Sequence, residues 1–118
     1  MKEELLKRTK KFAIDGWKLC QTLPNEFLDY KRQLVRSSSS VGANYRAACR
    51  AKSAKDFVNK LKIVEEELDE SLFFIELIME LSSKESKQWK SMHDEGDQLL
   101  AILVKSITTL KAKQSIKS

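Results

Sequence analysis

Apolar residues recur at steps of three and four along most of the chain, the spacing that places them on one face of an α-helix. Four such segments follow one another, at about 3–22, 26–51, 54–82 and 86–111. Short connections favour antiparallel neighbours, so the pattern predicts an all-α fold, an antiparallel up-down-up-down four-helix bundle. A chain of 118 residues has the length of one domain, and we expect that domain to span 1–118.

Each segment carries one apolar stripe, and the four stripes together form the predicted core. Pro24 separates the first two segments, Asn25 is a candidate cap for the second, and Ser53 is a candidate cap for the third. The tail from 112 to 118 is expected to fray. The stripes are Leu5, Thr9, Phe12, Gly16, Leu19 and Leu23; Phe27, Tyr30, Leu34, Ser38, Val41, Tyr45 and Ala48; Phe57, Leu61, Val64, Leu68, Leu72, Ile75 and Met79; and Trp89, Met92, Gly96, Leu99, Leu103, Ile107 and Leu110.

The second segment passes through a run of small residues, four serines at 37–40 followed by Val41, Gly42 and Ala43. Serine and glycine are poor helix formers at mid-helix. The apolar period nevertheless continues through the run, which favours one long helix, and a break near 39–42 is the alternative. Small residues here would also let a neighbouring helix approach closely.

The third segment changes character halfway along its length. Its first half is acidic outside the stripe, with five carboxylates between 65 and 70, and its second half is apolar on nearly every side. A helix that is apolar all round needs cover all round, which a small monomeric bundle does not supply, so we expect an oligomer. Ile14 and Trp17 lie off the first stripe and suit the same interface, with base stacking as the alternative. The predicted interface residues are Ile14, Trp17, Phe73, Phe74, Leu77, Ile78 and Leu81.

Charge is distributed unevenly along the chain. The net charge is only +5, yet the stretch from Tyr30 to Lys55 contains seven basic residues and no acidic one. At 100° per residue, Arg32, Arg36, Arg46 and Arg50 all point away from the core, along about 27 Å of helix. Guanidinium groups pair with phosphate oxygens, so this row predicts contact with an RNA or DNA backbone. The predicted nucleic-acid-binding residues are Arg32, Arg36, Arg46, Arg50, Lys52 and Lys55.

Two other interpretations of the arginine row remain open. Exposed helix faces are often charged, so the row is also compatible with a plain solvated surface. The same arginines also suit the acidic half of the third helix on a neighbouring subunit, or a partner protein. In that case the chain is a protein-interaction scaffold that does not bind nucleic acid.

The sequence contains no recognisable catalytic or metal-binding motif. His93 is the single histidine, position 90 is Lys where a Glu-x-x-His metal motif needs Glu, and no phosphate-binding glycine loop or serine elbow is present. We therefore expect no enzyme activity, no metal and no cofactor. The longest apolar run, 99–104, is far too short to span a bilayer, and Cys20 and Cys49 are expected to be reduced thiols in the cytoplasm.

A block that begins at Leu34, LVRSSSSVGANYRAACRAKS, resembles the bacterial four-helix-bundle proteins first noticed as products of intervening sequences in 23S ribosomal RNA genes. The resemblance continues through 56–61 and 66–77, and the first helix and Pro24 fit its layout. Ala47 departs from it, because many members carry Glu near this point. The residues that match the family motif are Ser40, Gly42, Asn44, Tyr45 and Arg46, with Ala48 and Arg50 beside them.

The resemblance implies an up-down bundle that assembles into a ring, commonly a homopentamer. It also implies kinship with the accessory proteins of diversity-generating retroelements, basic pentamers that bind nucleic acid and a reverse transcriptase. It brings no established activity, since most members have no known function. Tyr45 also lies on the core stripe, so packing alone is enough to explain its place in the motif.

Overall fold

The computed structural model describes residues 1–82 and 86–117, and within these ranges the chain is all-helical, with four α-helices and no strand. The helices are α1, Lys2–Cys20; α2, Leu28–Ala48; α3, Ala54–Ser82; and α4, Lys87–Lys117. A short 3-10 turn, Asn25–Phe27, precedes α2. None of the described helices is both long and apolar enough to cross a membrane.

The connection between α1 and α2 is shaped by Pro24. A residue before proline is disfavoured in the α conformation, and α1 ends at Cys20, two residues short of the predicted bound. Pro24 itself is extended, with φ −71° and ψ 165°, and the chain then makes the 3-10 turn before α2 begins. Asn25 lies inside that turn, and no side-chain hydrogen bond caps it, so the expected Asn25 cap is wrong.

The connection between α2 and α3 is a five-residue loop, 49–53. It ends in a cap, because Ser53 Oγ accepts a hydrogen bond from the backbone N–H of Asp56 at 3.0 Å. The expected Ser53 cap is therefore confirmed. Because α2 ends at Ala48 and not at 51, Arg50 lies in this loop and not on the helix, and Lys52 lies in the loop as expected.

The serine run of α2 forms a continuous helix that packs closely on its neighbours. Ser37 and Ser38 are fully buried, and Ser37 Oγ donates to the Leu34 carbonyl while accepting a hydrogen bond from Ser71 Oγ of α3 at 2.8 Å. Satisfied hydroxyls offset the low helix propensity of serine. A Cβ on Gly16 of α1 would overlap Ser38 Oγ, so the two helices meet through small residues.

The core lies between the four helices. Each helix packs against two others: α1 on α2 and α4, and α3 on α2 and α4. A bidentate ion pair from Arg8 to Glu95, at 2.9 and 2.7 Å, also joins α1 to α4. Among the described residues, seven apolar side chains have no solvent exposure: Leu34, Val41, Val64, Leu68, Ile75 and Leu99, which lie on three of the stripes, and Ile78, which lies off them.

Helix α4 is longer than its apolar stripe. It continues to Lys117, whereas the sequence pattern predicted an end near 111 and a frayed tail. No proline or glycine follows Leu110, and lysine, alanine and glutamine are good helix formers. The predicted end of the helix near 111 is therefore wrong over the described residues, and Ser118 lies outside them.

Candidate nucleic-acid interface

The six predicted cations are all exposed, but the structure distributes them over three elements. Arg32, Arg36 and Arg46 lie on α2, Arg50 and Lys52 in the following loop, and Lys55 in the first turn of α3. The straight row expected from a helix continuing to 51 is therefore interrupted at its C-terminal end.

Arg36 differs from the other arginines because α3 compensates its charge. Its Nη1 lies 3.2 Å from Glu67 Oε2, and its Nη2 pairs with Glu70. The hydrogen bond to Glu70 is the main cause that raises the pKa of Arg36. The basic stretch of the sequence from Tyr30 to Lys55 contains no acid and so gave no sign of this pairing, which the acidic half of α3 supplies within the same chain.

A groove between α1 and α2 brings together two of the six predicted cations, and the other four do not line it. Its volume is about 570 Å³, and its charged lining consists of Lys2, Lys10, Arg46 and Arg50, with Glu3 as the one acid. Lys2 and Lys10 are not among the predicted binding residues, because they lie outside the basic stretch. Their position on the face of α1 that flanks its core stripe is the feature of the sequence from which Lys2 and Lys10 could have been predicted.

Small residues make the floor of this groove. Ala13 of α1 faces Ser39, Gly42 and Ala43 of α2. A Cβ on Gly42 would lie only 3.3 Å from the Thr9 carbonyl oxygen, tighter than ordinary packing contact. The small side chains therefore leave room in the groove for a ligand that the long cationic side chains on either side can contact.

The groove cations are available for a partner. Within residues 1–82 and 86–117, no carboxylate lies within 4.0 Å of the guanidinium of Arg46 or Arg50, nor of that of Arg32, which lies outside the groove. By contrast, a separate groove between α3 and α4 is lined by charges of both signs, with Glu65, Glu66 and Asp69 beside Lys62 and Lys111.

Packing explains the presence of two of the motif residues, Gly42 and Tyr45. Gly42 allows the close approach of α1, and Tyr45 is 4% exposed in the core, where burial, with Cys49 beside it, raises its pKa to about 12. Asn44 Nδ2 donates to the Ser40 carbonyl on the helix surface. Arg46 is the motif residue with an exposed charge in the groove.

The predicted interface residues fall into two groups. Ile14 is 43% exposed, and Trp17, Phe73 and Leu81 are each 55% exposed, so apolar side chains do lie on the surface of the chain. Ile78 is fully buried within the chain, and its assignment to the interface is wrong. Helix geometry alone placed it off the stripe, but α3 is packed on two sides, by α2 and by α4.

The remaining two predicted interface residues, Phe74 and Leu77, are half-buried. The Phe74 ring lies 6.2 Å from Tyr30 of α2 and 5.5 Å from Phe73, measured between ring centroids. Phe74 therefore lies between the core and the exposed side chain of Phe73.

His93 serves as a link between α3 and α4. Its Nε2 lies 2.8 Å from Glu76 Oε2, and its Nδ1 lies 3.4 Å from Asp97 Oδ2. The part of the chain that the structure describes contains no group of three or more His, Cys, Asp or Glu side chains able to hold a metal ion. Cys20 and Cys49 are both free thiols, and burial raises the pKa of Cys20 to about 11.

Comparison with known proteins identifies a matching family and solved structures of similar fold. The family described as 23S rRNA-intervening sequence protein matches residues 1–105. A crystal structure of a protein of unknown function from the S23 ribosomal protein family of Bacteroides thetaiotaomicron is 30% identical in sequence. It superimposes with a TM-score of 0.82, over 92% of this chain and 99% of that one. A comparison with curated proteins finds no match.

Proposed function

We propose that this chain, which belongs to the 23S rRNA-intervening sequence protein family, is a non-enzymatic helical-bundle protein that binds the phosphate backbone of RNA or DNA. The observation that carries the proposal is the groove between α1 and α2, where Lys2, Lys10, Arg46 and Arg50 converge on a floor of small residues. Neither the description of the family nor that of the similar crystal structure names an enzyme.

The groove chemistry suits a phosphate backbone better than a base edge. Arg46 and Arg50 supply planar forks that pair with two phosphate oxygens, and Lys2 and Lys10 add point charges on the opposite wall. Contacts of this type position a nucleic acid without reading its sequence. We therefore expect weak sequence selectivity and a strong dependence of affinity on salt.

We propose an antiparallel up-down-up-down four-helix bundle that forms one domain over 1–118. Contacts between neighbouring helices support this topology, because lower residue numbers on one helix meet higher numbers on the next. On α1 and α2 the facing positions are Gly16 with Ser38 and Thr9 with Gly42. On α3 and α4 they are Leu72 with Gly96 and Glu76 with His93.

We also propose that the bundle is a cytoplasmic homo-oligomer, with the pentameric ring that the family resemblance implies. Its support is two groups of exposed apolar side chains, Ile14 and Trp17 on α1 and Phe73 and Leu81 on α3, which neighbouring copies would cover. A ring would present one cationic groove per subunit and so bind a long strand with added avidity.

A protein-interaction scaffold is the second candidate function. The same exposed aromatic side chains, Trp17 and Phe73, favour it, because such residues are enriched at protein interfaces. In this case the oligomer forms but labelled RNA and duplex DNA do not bind at low salt.

A pair of matched substitutions on one helix tests the primary proposal. Arg46→Ala removes a groove charge that no described carboxylate compensates, and Arg36→Ala removes a charge already paired with Glu67 and Glu70. Binding of labelled RNA and duplex DNA is measured by fluorescence anisotropy. We expect Arg46→Ala to weaken binding several-fold and Arg36→Ala to weaken it much less. Equal losses, or a greater loss for Arg36→Ala, would refute the groove as the binding site.

A charge-matched control excludes a general effect of net charge. The double variant Arg46→Ala/Arg50→Ala and the double variant Lys87→Ala/Lys90→Ala each remove two positive charges from exposed positions. The first is expected to lose most binding, and the second, on α4, to keep it. Light scattering in the same buffer checks that both variants retain the oligomer.

A further inference from the structure

A second cavity, larger than the basic groove, lies at the end of the bundle where α1 begins. Its volume is about 730 Å³, within the range of pockets that enclose small molecules. The end of α2, the start of α3 and the second half of α4 complete its walls.

The floor of this cavity is the hydrophobic core itself. Leu5, Tyr45, Ala48, Leu61 and Leu103 line it, and each is at most 5% exposed. Half-buried apolar side chains continue the lining toward the solvent; they are Phe57, Ile102 and Leu110. The cavity therefore offers a deep apolar surface to a ligand that enters from the end of the bundle.

The rim of the cavity is cationic. Lys2 and Lys105 line it and are exposed, and no Asp or Glu is among the lining residues. Ser106 and Thr109 of α4 add hydroxyl groups. An apolar interior with two uncompensated lysines at its mouth is complementary to a molecule with an alkyl chain and an anionic end.

We propose that this cavity binds a single-chain anionic amphiphile, of the class of a long-chain fatty acid. The alkyl chain lies along Leu5, Leu61 and Leu103, and the carboxylate pairs with Lys2 and Lys105 at the rim. A nucleic-acid strand has no alkyl chain to fill such an interior, so the cavity is distinct in chemistry from the basic groove. Lys2 and Cys49 border both, and tests of the cavity therefore use other residues.

A chain-length series measures the apolar part of the interaction. The full chain is titrated by calorimetry with saturated fatty acids of increasing length, each below its micelle concentration and without nucleic acid. Burial of each methylene is expected to tighten binding about fourfold until the cavity is filled. The alcohol of equal length is expected to bind several-fold more weakly. Affinity that does not depend on chain length, or equal affinity of acid and alcohol, would overturn the proposal.

Two substitutions of equal size on α4 localise the site. Ser106→Phe fills the cavity from its wall, whereas Ala101→Phe places the same ring on an exposed surface that does not line it. Ser106→Phe is expected to lose at least tenfold in affinity, and Ala101→Phe to bind as the parent chain does. Equal binding by the two variants would contradict the assignment.

The rim is tested separately, so that a folding defect in the Ser106→Phe variant does not decide the result. Lys105→Glu reverses one rim charge at an exposed position and is expected to weaken the acid but not the alcohol. If no fatty acid binds and Ser106→Phe instead lowers the oligomer mass in light scattering, a second copy covers the cavity and the proposal is wrong.

Discussion

Gly16→Ala should destabilise the protein even though alanine is the better helix former. An added Cβ would overlap Ser38 Oγ and would lie 3.1 Å from Ser38 Cβ and 3.2 Å from Met92 Cε. Replacing a mid-helix glycine by alanine stabilises a helix by up to about 1 kcal/mol, whereas overpacking a close contact costs roughly 1–3 kcal/mol. The contact with Ser38 Cβ involves atoms fixed near the backbone of α2, so we expect the cost to exceed the gain. The net loss should be about 1 kcal/mol, or a few degrees in Tm.

A double-mutant cycle with Ser38→Ala isolates the cause. Ser38→Ala alone removes a hydroxyl whose hydrogen bond to the Val35 carbonyl is long, at 3.5 Å, so we expect a change within about 0.5 kcal/mol. In the double variant the closest clash is gone, and stability should recover by roughly 1 kcal/mol relative to Gly16→Ala. Urea unfolding at one protein concentration measures all four proteins. A stabilised Gly16→Ala variant, or additive effects of the two substitutions, would refute the packing argument.

Three further predictions concern protonation, the buried hydroxyls and the exposed apolar surface. Burial raises the pKa of Cys20 from 9.0 to about 11, so the buried thiol's contribution to stability is complete below pH 9 and should fall by up to roughly 2–3 kcal/mol as the pH rises to 11. The urea midpoint should therefore decline less steeply with pH in Cys20→Ala than in the parent chain, and parallel declines of the two midpoints would contradict this. Ser37→Ala and Ser71→Ala should each lower the free energy of unfolding by about 1 kcal/mol, and the double variant should lose no more than the worse single one, because it leaves neither hydroxyl without its partner. An additive loss in urea unfolding would be inconsistent with the 2.8 Å hydrogen bond between the two hydroxyl oxygens. Phe73→Glu, at a 55% exposed site, should lower the mass in light scattering without unfolding the helices seen by circular dichroism, and an unchanged mass would remove Phe73 from the interface.

Apolar periodicity predicted the helices well because packing on one face determines which positions are apolar. The period through 37–42 indicated a continuous α2, and the structure agrees because Ser37 and Ser38 are buried with hydrogen-bond acceptors beside them. The ends of the helices were less predictable. Local backbone geometry that periodicity does not report determines them: the N–H groups of Thr22 and Leu23 bond to carbonyls three residues back, so α1 gives way to a tighter turn before Pro24.

The candidate site was only partly predictable, since it depends on which helices are neighbours. Arg46 was identifiable from its angle on α2, but its companion Lys10 belongs to α1 and enters the groove only once the two helices pack. In the same way, the ion pairs that compensate Arg36 join α2 to α3. Ile78 was misassigned for this reason too, because a position that lies off one stripe can still face a second neighbouring helix.

The salt dependence of nucleic-acid binding tests the central proposal most directly. Affinities for labelled duplex DNA and single-stranded RNA are measured across a salt titration for the parent chain and for Arg46→Ala/Arg50→Ala. The logarithm of the binding constant should fall linearly with the logarithm of salt concentration. On duplex DNA the slope should be shallower by about 1.8 in the variant, since each neutralised phosphate contributes roughly 0.9. No binding by the parent chain at low salt, or equal slopes for the two proteins, would contradict a nucleic-acid-binding groove between α1 and α2.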